Sequence, residues 1–300
     1  MGGFGTVEAM GSSSGGAPVK IRHYTDPTCP FAFSAERQRL RLLWLYGDQI
    51  DWELHMVVLA EGPRDDFPPE RVSAGRRHLQ LLYGMPIDWR PVALGVSEPA
   101  CRAVVAARLH APDREAALLR RLRVLCFAAY DLDDPAVIER AGTEALIEPE
   151  ELRAWLEDPA VEEALKVDMH AARSPSPASR AQDYKLGGPA DERRYTCPSY
   201  ELIRATEPPA DWPTASRVDL PGYRPIEAYE TAIANLAPEL TRREDPESVE
   251  EVLAWAGMPI ATAEVAAVCD REVADVRADL ARVATFLPVG GDGYWTLNAG

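Results

Sequence analysis

The residue of this sequence best placed for chemistry is Cys29, which is followed directly by Pro30. Apolar and polar residues alternate over 19–24, which predicts a strand, and the apolar residues within 40–44 recur at helical spacing. Cys29 is therefore expected at a strand-to-helix turn, where unpaired backbone N–H groups and the helix dipole favour a thiolate over a thiol. A proline in the first helical turn is tolerated, because its missing N–H would be unpaired anyway. Two interpretations stay open: a reactive thiol, or a small residue buried under the turn.

A second cysteine-proline pair, Cys197 and Pro198, stands before a β-like run at 199–203. Proline cannot donate a hydrogen bond to the ladder of a central strand, so Pro198 is compatible with the beginning of the run but not with its middle. A peptide bond that precedes proline can also be cis, at a far lower cost than elsewhere. The sequence therefore allows a cis bond before Pro198, at the entry to this run.

The five cysteines do not have the pattern of a disulfide framework. They are odd in number and widely spaced along the chain. Cys101 and Cys126 lie on apolar helical faces, where a cysteine packs as a small core residue. This usage is typical of a reducing compartment, so we expect a cytoplasmic protein.

Length and charge restrict the class of protein. The chain has 300 residues, a net charge of −16 and an apolar fraction of 46%. The length suggests about two domains, and the charge argues against a nucleic-acid partner. No apolar run reaches the ~18 residues of a membrane span, so none is predicted. Residues 1–17 are rich in Gly and Ser, and we expect a disordered tail there rather than a signal peptide.

Residues 97–172 are strongly helical in pattern. Helix beginnings are indicated at Ser97, Asp113, Asp134 and Glu148, which predicts four helices. A shorter helix precedes them, and it carries a local basic patch. The patch consists of Arg71, Arg76, Arg77 and His78. Its simplest interpretation is a solvated helix face, since basic side chains normally keep their charge in water.

The last part of the chain, residues 244–300, has a pattern of its own. Three helices are predicted over 247–256, 262–268 and 271–283, followed by a β-hairpin at the Gly-rich run 290–293. Such an order is typical of a winged helix, which usually binds DNA. The segment carries eleven Asp and Glu against three Arg, so it lacks the phosphate-neutralising charge that DNA binding needs. We expect a docking or dimerisation module instead. Four residues of its third helix are predicted to face inward: Val273, Val276, Leu280 and Val283.

Together these features resemble the DsbA-like thioredoxin superfamily. The likeness rests on a strand, an Asp-Pro-x-Cys-Pro-aromatic motif at a helix start, a second strand, a helical insertion and an x-Pro motif before a β-hairpin. It implies an α/β, thioredoxin-like fold with an all-helical insertion, plus a small C-terminal winged-helix-like α+β domain. It also implies that Cys29 is the nucleophile and that 196–198 is a cis-proline loop beside it. The implied parts are a tail at 1–17, a thioredoxin-like domain at 18–96 and 173–243, the insertion at 97–172, and a C-terminal domain at 244–300.

One position departs from the family pattern. Members with two active-site thiols have a second cysteine three residues after the first, and this chain has Ala32 there. A mixed disulfide on Cys29 therefore lacks the usual resolving thiol. Relatives without this cysteine include kappa-class glutathione transferases and hydroxychromene-carboxylate isomerases, which bind a low-molecular-weight thiol. A bacterial protease adaptor joins a DsbA-like domain to a winged helix, so a non-catalytic adaptor is an alternative.

The resemblance also places Cys197 against Cys29, because the residue before the cis-proline normally faces the active-site sulfur. We hypothesise that Cys197 replaces the missing resolving cysteine. The alternatives are a small residue under the helix, or a soft-metal site with His23 as a third ligand.

The functional prediction is a thiol-disulfide oxidoreductase or a thiol-dependent transferase or isomerase. Cys29 and Cys197 are its predicted catalytic residues, and Arg194 is a candidate contact for a carboxylate. No metal is expected, and no cofactor other than a low-molecular-weight thiol. The partner is a thiol or disulfide substrate, or a protein. The predicted substrate contacts are Pro30, Phe31, Thr196 and Pro198.

Overall fold

The computed structural model describes residues 16–62, 67–205 and 216–298. The predicted disordered tail at 1–17 lies almost entirely outside the described residues. Among the helices that are described, none is both long and apolar enough to cross a lipid bilayer.

The central sheet has four strands in the order β2-β1-β3-β4. The strand β2 runs parallel to β1, whereas β3 pairs antiparallel with β1 on one side and β4 on the other. This topology, with helices packed around it, confirms the predicted thioredoxin-like α/β fold. The strands are β1 (Val19–Thr25), β2 (Ile50–Met56), β3 (Ser199–Arg204) and β4 (Arg217–Leu220).

Two helices, rather than the single predicted one, follow β1. They are α1 (Pro30–Ser34) and α2 (Glu36–Tyr46), and they are divided at Ala35. The pattern of α2 predicts an amphipathic helix with one solvated face, but polar residues such as Glu36 and Arg41 are buried as well. The sheet covers one side of α2, and a C-terminal helix described below covers the other.

Five helices, and not the predicted four, occupy the insertion. The extra break is at Asp158, whose carboxylate accepts the N–H of Ala160 at 2.9 Å, with Pro159 in the first turn. Asp113 is not a helix cap, because it lies in a 3₁₀ turn, Pro112–Arg114. The helices between β2 and β3 are α3 (Pro69–Tyr83), α4 (Glu98–His110), α5 (Glu115–Phe127), α6 (Pro135–Glu144), α7 (Pro149–Leu156), α8 (Pro159–Ala172) and α9 (Pro177–Arg180).

The C-terminal segment contains three helices and a small sheet in the order β5-β7-β6. Val276 and Leu280 are buried as predicted, but Val273 is 43% exposed because it begins its helix at the surface. The winged-helix interpretation stays a prediction. The elements after β4 are α10 (Ile226–Leu236), α11 (Val249–Ala256), β5 (Ile260–Ala261), α12 (Thr262–Cys269), α13 (Val273–Val283), β6 (Ala284–Val289) and β7 (Asp292–Leu297).

The C-terminal helix α12 is the element that covers the outer side of α2. Trp44 of α2 and Val265 and Val268 of α12 belong to one buried apolar cluster. Arg41 of α2 donates to the carbonyl oxygen of Val268 at 2.6 Å. This shared core explains why α2 is buried all round, and the predicted domain boundary at 244 stays a prediction.

A buried ion pair also joins the insertion to the C-terminal segment. Arg120 Nη2 of α5 donates to Glu264 Oε2 of α12 at 2.7 Å, and the Glu264 side chain is completely buried. We expect Glu264→Gln to lower the free energy of unfolding by about 3 kcal/mol, because it removes the hydrogen-bonded counter-charge of a buried guanidinium and leaves only the carboxylate of Glu36 at 3.9 Å. Urea unfolding measures the loss.

The matched control is Glu163→Gln, which removes one partner of an exposed pair with Lys166. Exposed pairs contribute roughly 0–1 kcal/mol. Equal losses for the two variants would contradict a structural role for the Arg120–Glu264 pair.

Candidate active site

Cys29 occupies the turn between β1 and α1, where the sequence predicts it. Its N–H donates to the carbonyl oxygen of Asp26 at 3.2 Å, and its own carbonyl accepts the N–H of Phe33 at 3.0 Å. Pro30 stands in the first turn of α1. The Cys29 side chain is only 6% exposed, so any substrate must reach it through a cleft.

The second cysteine-proline pair lies beside it. The Cys197–Pro198 peptide bond is cis. The register of the sheet pairs Tyr24 of β1 with Ser199 of β3, so the chain leaves β1 and enters β3 at the same sheet edge. The Cys29 thiol donates to the carbonyl oxygen of Cys197 at 3.2 Å. Antiparallel pairing thus brings together two cysteines that are 168 residues apart.

The two thiols differ in acidity. A hydrogen bond from the Cys197 side chain lowers the pKa of Cys29, helped by the backbone N–H groups of Ala32 and Phe31 and opposed by burial. Burial raises the pKa of Cys197 well above its ordinary value, and the neighbouring Cys29 raises it further. Cys29 is therefore the more acidic thiol of the pair, and Cys197 is the less acidic one.

Two other buried cysteines near the site are poor nucleophiles. Burial raises the pKa of Cys126 to about 11. Burial also raises the pKa of Cys101, which the nearby Asp26 carboxylate raises further. At neutral pH both stay protonated. The prediction that Cys101 and Cys126 are core residues agrees with their burial, although Cys126 also reaches the cleft described below.

Asp26 is a site residue that the sequence reasoning missed. Its buried carboxylate accepts the N–H of Thr28 at 2.8 Å and the hydroxyl at 2.6 Å, and it also accepts the N–H of Leu59 at 2.8 Å. The Cys101 thiol donates to it at 3.6 Å. These bonds tie the Cys29 turn to the chain that follows β2. An aspartate two residues before a threonine is a recognisable turn signal, but nothing local shows that the carboxylate turns inward.

The predicted substrate contacts surround the two cysteines unequally. Pro30 is half-buried and Pro198 is buried, while Phe31 is 43% exposed and lies edge-on to Tyr83. The Thr196 hydroxyl donates to the carbonyl oxygen of Lys185 at 2.8 Å. Phe31 is therefore the most accessible of the four.

Two other candidate residues are used elsewhere in the fold. Arg194 donates to the carbonyl oxygen of Tyr195 at 3.1 Å. The His23 ring is buried and stacks on Tyr200 at 4.4 Å, in a cluster separate from that of the two cysteines. Alternate residues of a strand face opposite sides of a sheet, and Tyr24, not His23, joins the cysteines. The proposed third metal ligand is therefore misplaced, and no group of three His, Cys, Asp or Glu placed for a metal occurs among the described residues.

A cavity of about 380 Å³ opens at Cys29. Its walls come from the Cys29 turn, the segment after β2, α3, residues 92–96 and the end of α5. They include Thr28, Cys29, Leu59, Arg76, Cys126 and Leu132. The prediction that the basic patch on α3 is a solvated face is correct for three of its residues, which are exposed. It is wrong for Arg76, which is buried in this wall.

Residues 20–176 match a protein-family model described as a DSBA-like thioredoxin domain. No curated protein matches the sequence significantly. Among solved structures, the chain is similar to a probable DsbA oxidoreductase from Streptomyces coelicolor, at 18% identity over 75% of this chain and 93% of that one, with a TM-score of 0.54. A putative protein disulfide isomerase from Nitrosomonas europaea is 16% identical over 72% of this chain and 95% of that one, with a TM-score of 0.52. The cytosolic disulfide reductase DsbM from Pseudomonas aeruginosa is 18% identical over 62% and 85%, with a TM-score of 0.47.

Proposed function

The chain belongs to the DsbA-like thioredoxin family, and from that premise we propose that it is a thiol-disulfide oxidoreductase with Cys29 as nucleophile and Cys197 as resolving thiol. The observation that carries the proposal is the hydrogen bond from the thiol of Cys29, which lines the cleft, to the backbone carbonyl of Cys197. The family's usual second cysteine is replaced by Ala32, and Cys197 offers a thiol in reach of the same sulfur.

The proposed reaction has two exchange steps. The Cys29 thiolate attacks one sulfur of a substrate disulfide, and the other sulfur leaves as a thiolate that takes a proton. Cys197 then attacks Cys29 Sγ, so a Cys29–Cys197 disulfide forms and the second half of the substrate leaves as a thiol. The substrate gains two electrons that the protein loses. Two equivalents of a low-molecular-weight thiol restore the dithiol and leave as a disulfide.

The acidities of the two thiols favour this order. While Cys29 is a thiolate, its charge helps to keep Cys197 protonated, in addition to burial. Once Cys29 is bonded to substrate it is neutral, so that contribution ends and Cys197 ionises more easily. The resolving thiol is thus activated by formation of the mixed disulfide.

Substrate binding and location complete the proposal. Phe31, with its exposed ring, would contact an apolar part of the substrate, while Pro30, Thr196 and Pro198 would shape the cleft around the sulfur. We place the reaction in the cytoplasm, which the scattered, buried cysteines support. The adaptor, transferase and isomerase interpretations stay predictions.

The test is the pH dependence of Cys29 alkylation, followed by mass spectrometry. We expect a midpoint below the ~8.5 of a free thiol, since the Cys197 hydrogen bond lowers the pKa of Cys29. Cys197→Ala removes that donor, so the midpoint should move to higher pH, whereas the control Cys101→Ser should leave it in place. An ordinary midpoint that is indifferent to residue 197 would contradict the proposal and favour an inactive adaptor scaffold.

A further inference from the structure

The cavity beside Cys29 contains a buried positive charge that the proposed exchange steps do not use. Arg76 projects from α3 into the cavity wall and is only 8% exposed. One face of its guanidinium lies 5.5 Å from the ring centroid of Phe127. Its Nη1 has no hydrogen-bond acceptor among the described residues.

Most buried arginines of the described structure pair with a carboxylate, and Arg76 shares the lack of such a pair only with Arg39, which packs on Trp52. Arg120 and Arg123 of α5, which are buried to a similar degree, both pair with carboxylates, those of Glu264 and Glu36. A buried cation without a counter-charge is costly, and a fixed guanidinium fork matches a carboxylate well. Arg76 therefore lacks an anionic partner, and a bound ligand can supply one.

The other charged residue that lines the cavity is an aspartate, of the opposite charge. Asp131 also lines the cavity, but it is exposed. No ion pair within 4.0 Å between Arg76 and Asp131 occurs in the described structure, so Asp131 does not neutralise the guanidinium. The remaining lining is mostly apolar, including Leu59 and Leu132, and Thr28 and Tyr130 are its other polar side chains. Arg76 is thus the only cation among the residues that line this cavity in the described part of the chain.

We propose that Arg76 binds the carboxylate of a low-molecular-weight thiol or disulfide whose sulfur reacts at Cys29. The proposal rests on the proposed function and names its substrate class. The cavity of about 380 Å³ is of the size that small-molecule ligands occupy, and it holds the sulfur and the guanidinium in one enclosure. The ligand is therefore a small acid rather than a protein chain.

The test compares two small disulfides with the same ethylene arm and different end groups, the anionic bis(2-carboxyethyl) disulfide and the neutral bis(2-hydroxyethyl) disulfide. For the wild type we expect a lower KM with the carboxylate. Arg76→Gln should raise the KM for the carboxylate disulfide at least about tenfold, the usual scale of a charged hydrogen bond, and leave the KM for the hydroxyl disulfide within about twofold. Arg76→Lys, which keeps the charge but loses the fork, should recover part of the loss.

Arg77→Gln is the matched control, because it removes one positive charge from an exposed neighbour on the same helix. It should leave both KM values unchanged. Equal effects of Arg76→Gln on the two disulfides, or equal effects of Arg76→Gln and Arg77→Gln, would overturn the proposal. Thermal melting of Arg76→Gln and Arg76→Lys shows that each variant is folded.

A binding measurement separates this proposal from the proposed function. In Cys29→Ser, which cannot react, calorimetry should show that 3-mercaptopropionate binds and that adding Arg76→Gln weakens this binding about tenfold. If the wild type turns over neither disulfide but binding still depends on Arg76, the oxidoreductase function fails and the carboxylate site stands. If turnover is normal but binding and KM ignore Arg76, the function stands and the carboxylate site fails.

Discussion

Replacement of Cys29 by serine is expected to reduce disulfide turnover by at least about a thousandfold, to the uncatalysed rate. Serine keeps the size and the hydrogen bond to the Cys197 carbonyl, but an alcohol does not ionise near neutral pH. The other thiols near the cleft are poorer nucleophiles, since burial raises the pKa of Cys126 to about 11 and also raises the pKa of Cys101 and of Cys197. Steady-state reduction of bis(2-hydroxyethyl) disulfide, with a low-molecular-weight thiol as reductant, measures the effect.

Cys126→Ser is the matched control for this prediction. Cys126 lines the same cavity as Cys29 and is equally buried, so the variant makes the same chemical change in another wall of that cavity. We expect turnover within about threefold of wild type. Residual turnover in Cys29→Ser that disappears only when Cys126 is also replaced would show that the wrong sulfur has been assigned as nucleophile.

Replacement of Cys197 by serine should have a different effect, because it removes the second exchange step and leaves the first. The Cys29 thiolate still attacks the substrate disulfide, but no protein thiol then attacks Cys29 Sγ. We expect turnover to fall at least about tenfold and a mixed disulfide on Cys29 to accumulate. Intact-mass spectrometry after quenching with acid detects this adduct, whereas wild type should show an internal disulfide instead.

Cys101→Ser provides the comparison, since Cys101 is a buried thiol that contacts Asp26 rather than Cys29. It should form the internal disulfide as wild type does. If Cys197→Ser turns over normally and accumulates no adduct, resolution by Cys197 is wrong, and an external thiol must release the product from Cys29. Loss of adduct formation in both Cys29→Ser and Cys197→Ser would instead indicate that Cys197 is needed to activate the nucleophile.

Much of the local structure follows from the sequence. The strand, the turn at Cys29 and the first helical turn follow from alternation, a proline and helical spacing over fewer than about thirty residues. The predicted helix at 247–256 ends at Gly257, which has the left-handed conformation that favours glycine. The break before Pro159 was not predicted, although Asp158 and Pro159 form the same cap-and-proline signal as Asp134 and Pro135.

The charged residues that matter most show the limit of such reasoning. Arg76 belongs to a run of basic residues whose pattern resembles a solvated face, and its neighbour Arg77 is indeed exposed. One position earlier in the same helix, the side chain of Arg76 lines a cavity whose other walls come from α5 and from residues 92–96. Helical spacing places Arg76 on the face of the buried Val72 and Leu79, but only the tertiary structure shows that a cavity lies against this face.

The sequence by itself therefore determined the family resemblance, the thioredoxin-like fold and the two cysteine-proline pairs, since each depends on residue types within a short stretch. The tertiary structure alone decided that Asp26 turns inward and that α2 is buried on both sides, and it places Cys197 in contact with Cys29, as the family resemblance implied. The physical reason is the sheet register: β1 and β3 pair antiparallel, so two turns that are remote along the chain meet at one sheet edge. The burial of the two cysteines and the difference between their pKa values then follow from the contact between these turns, which no single stretch of the sequence contains.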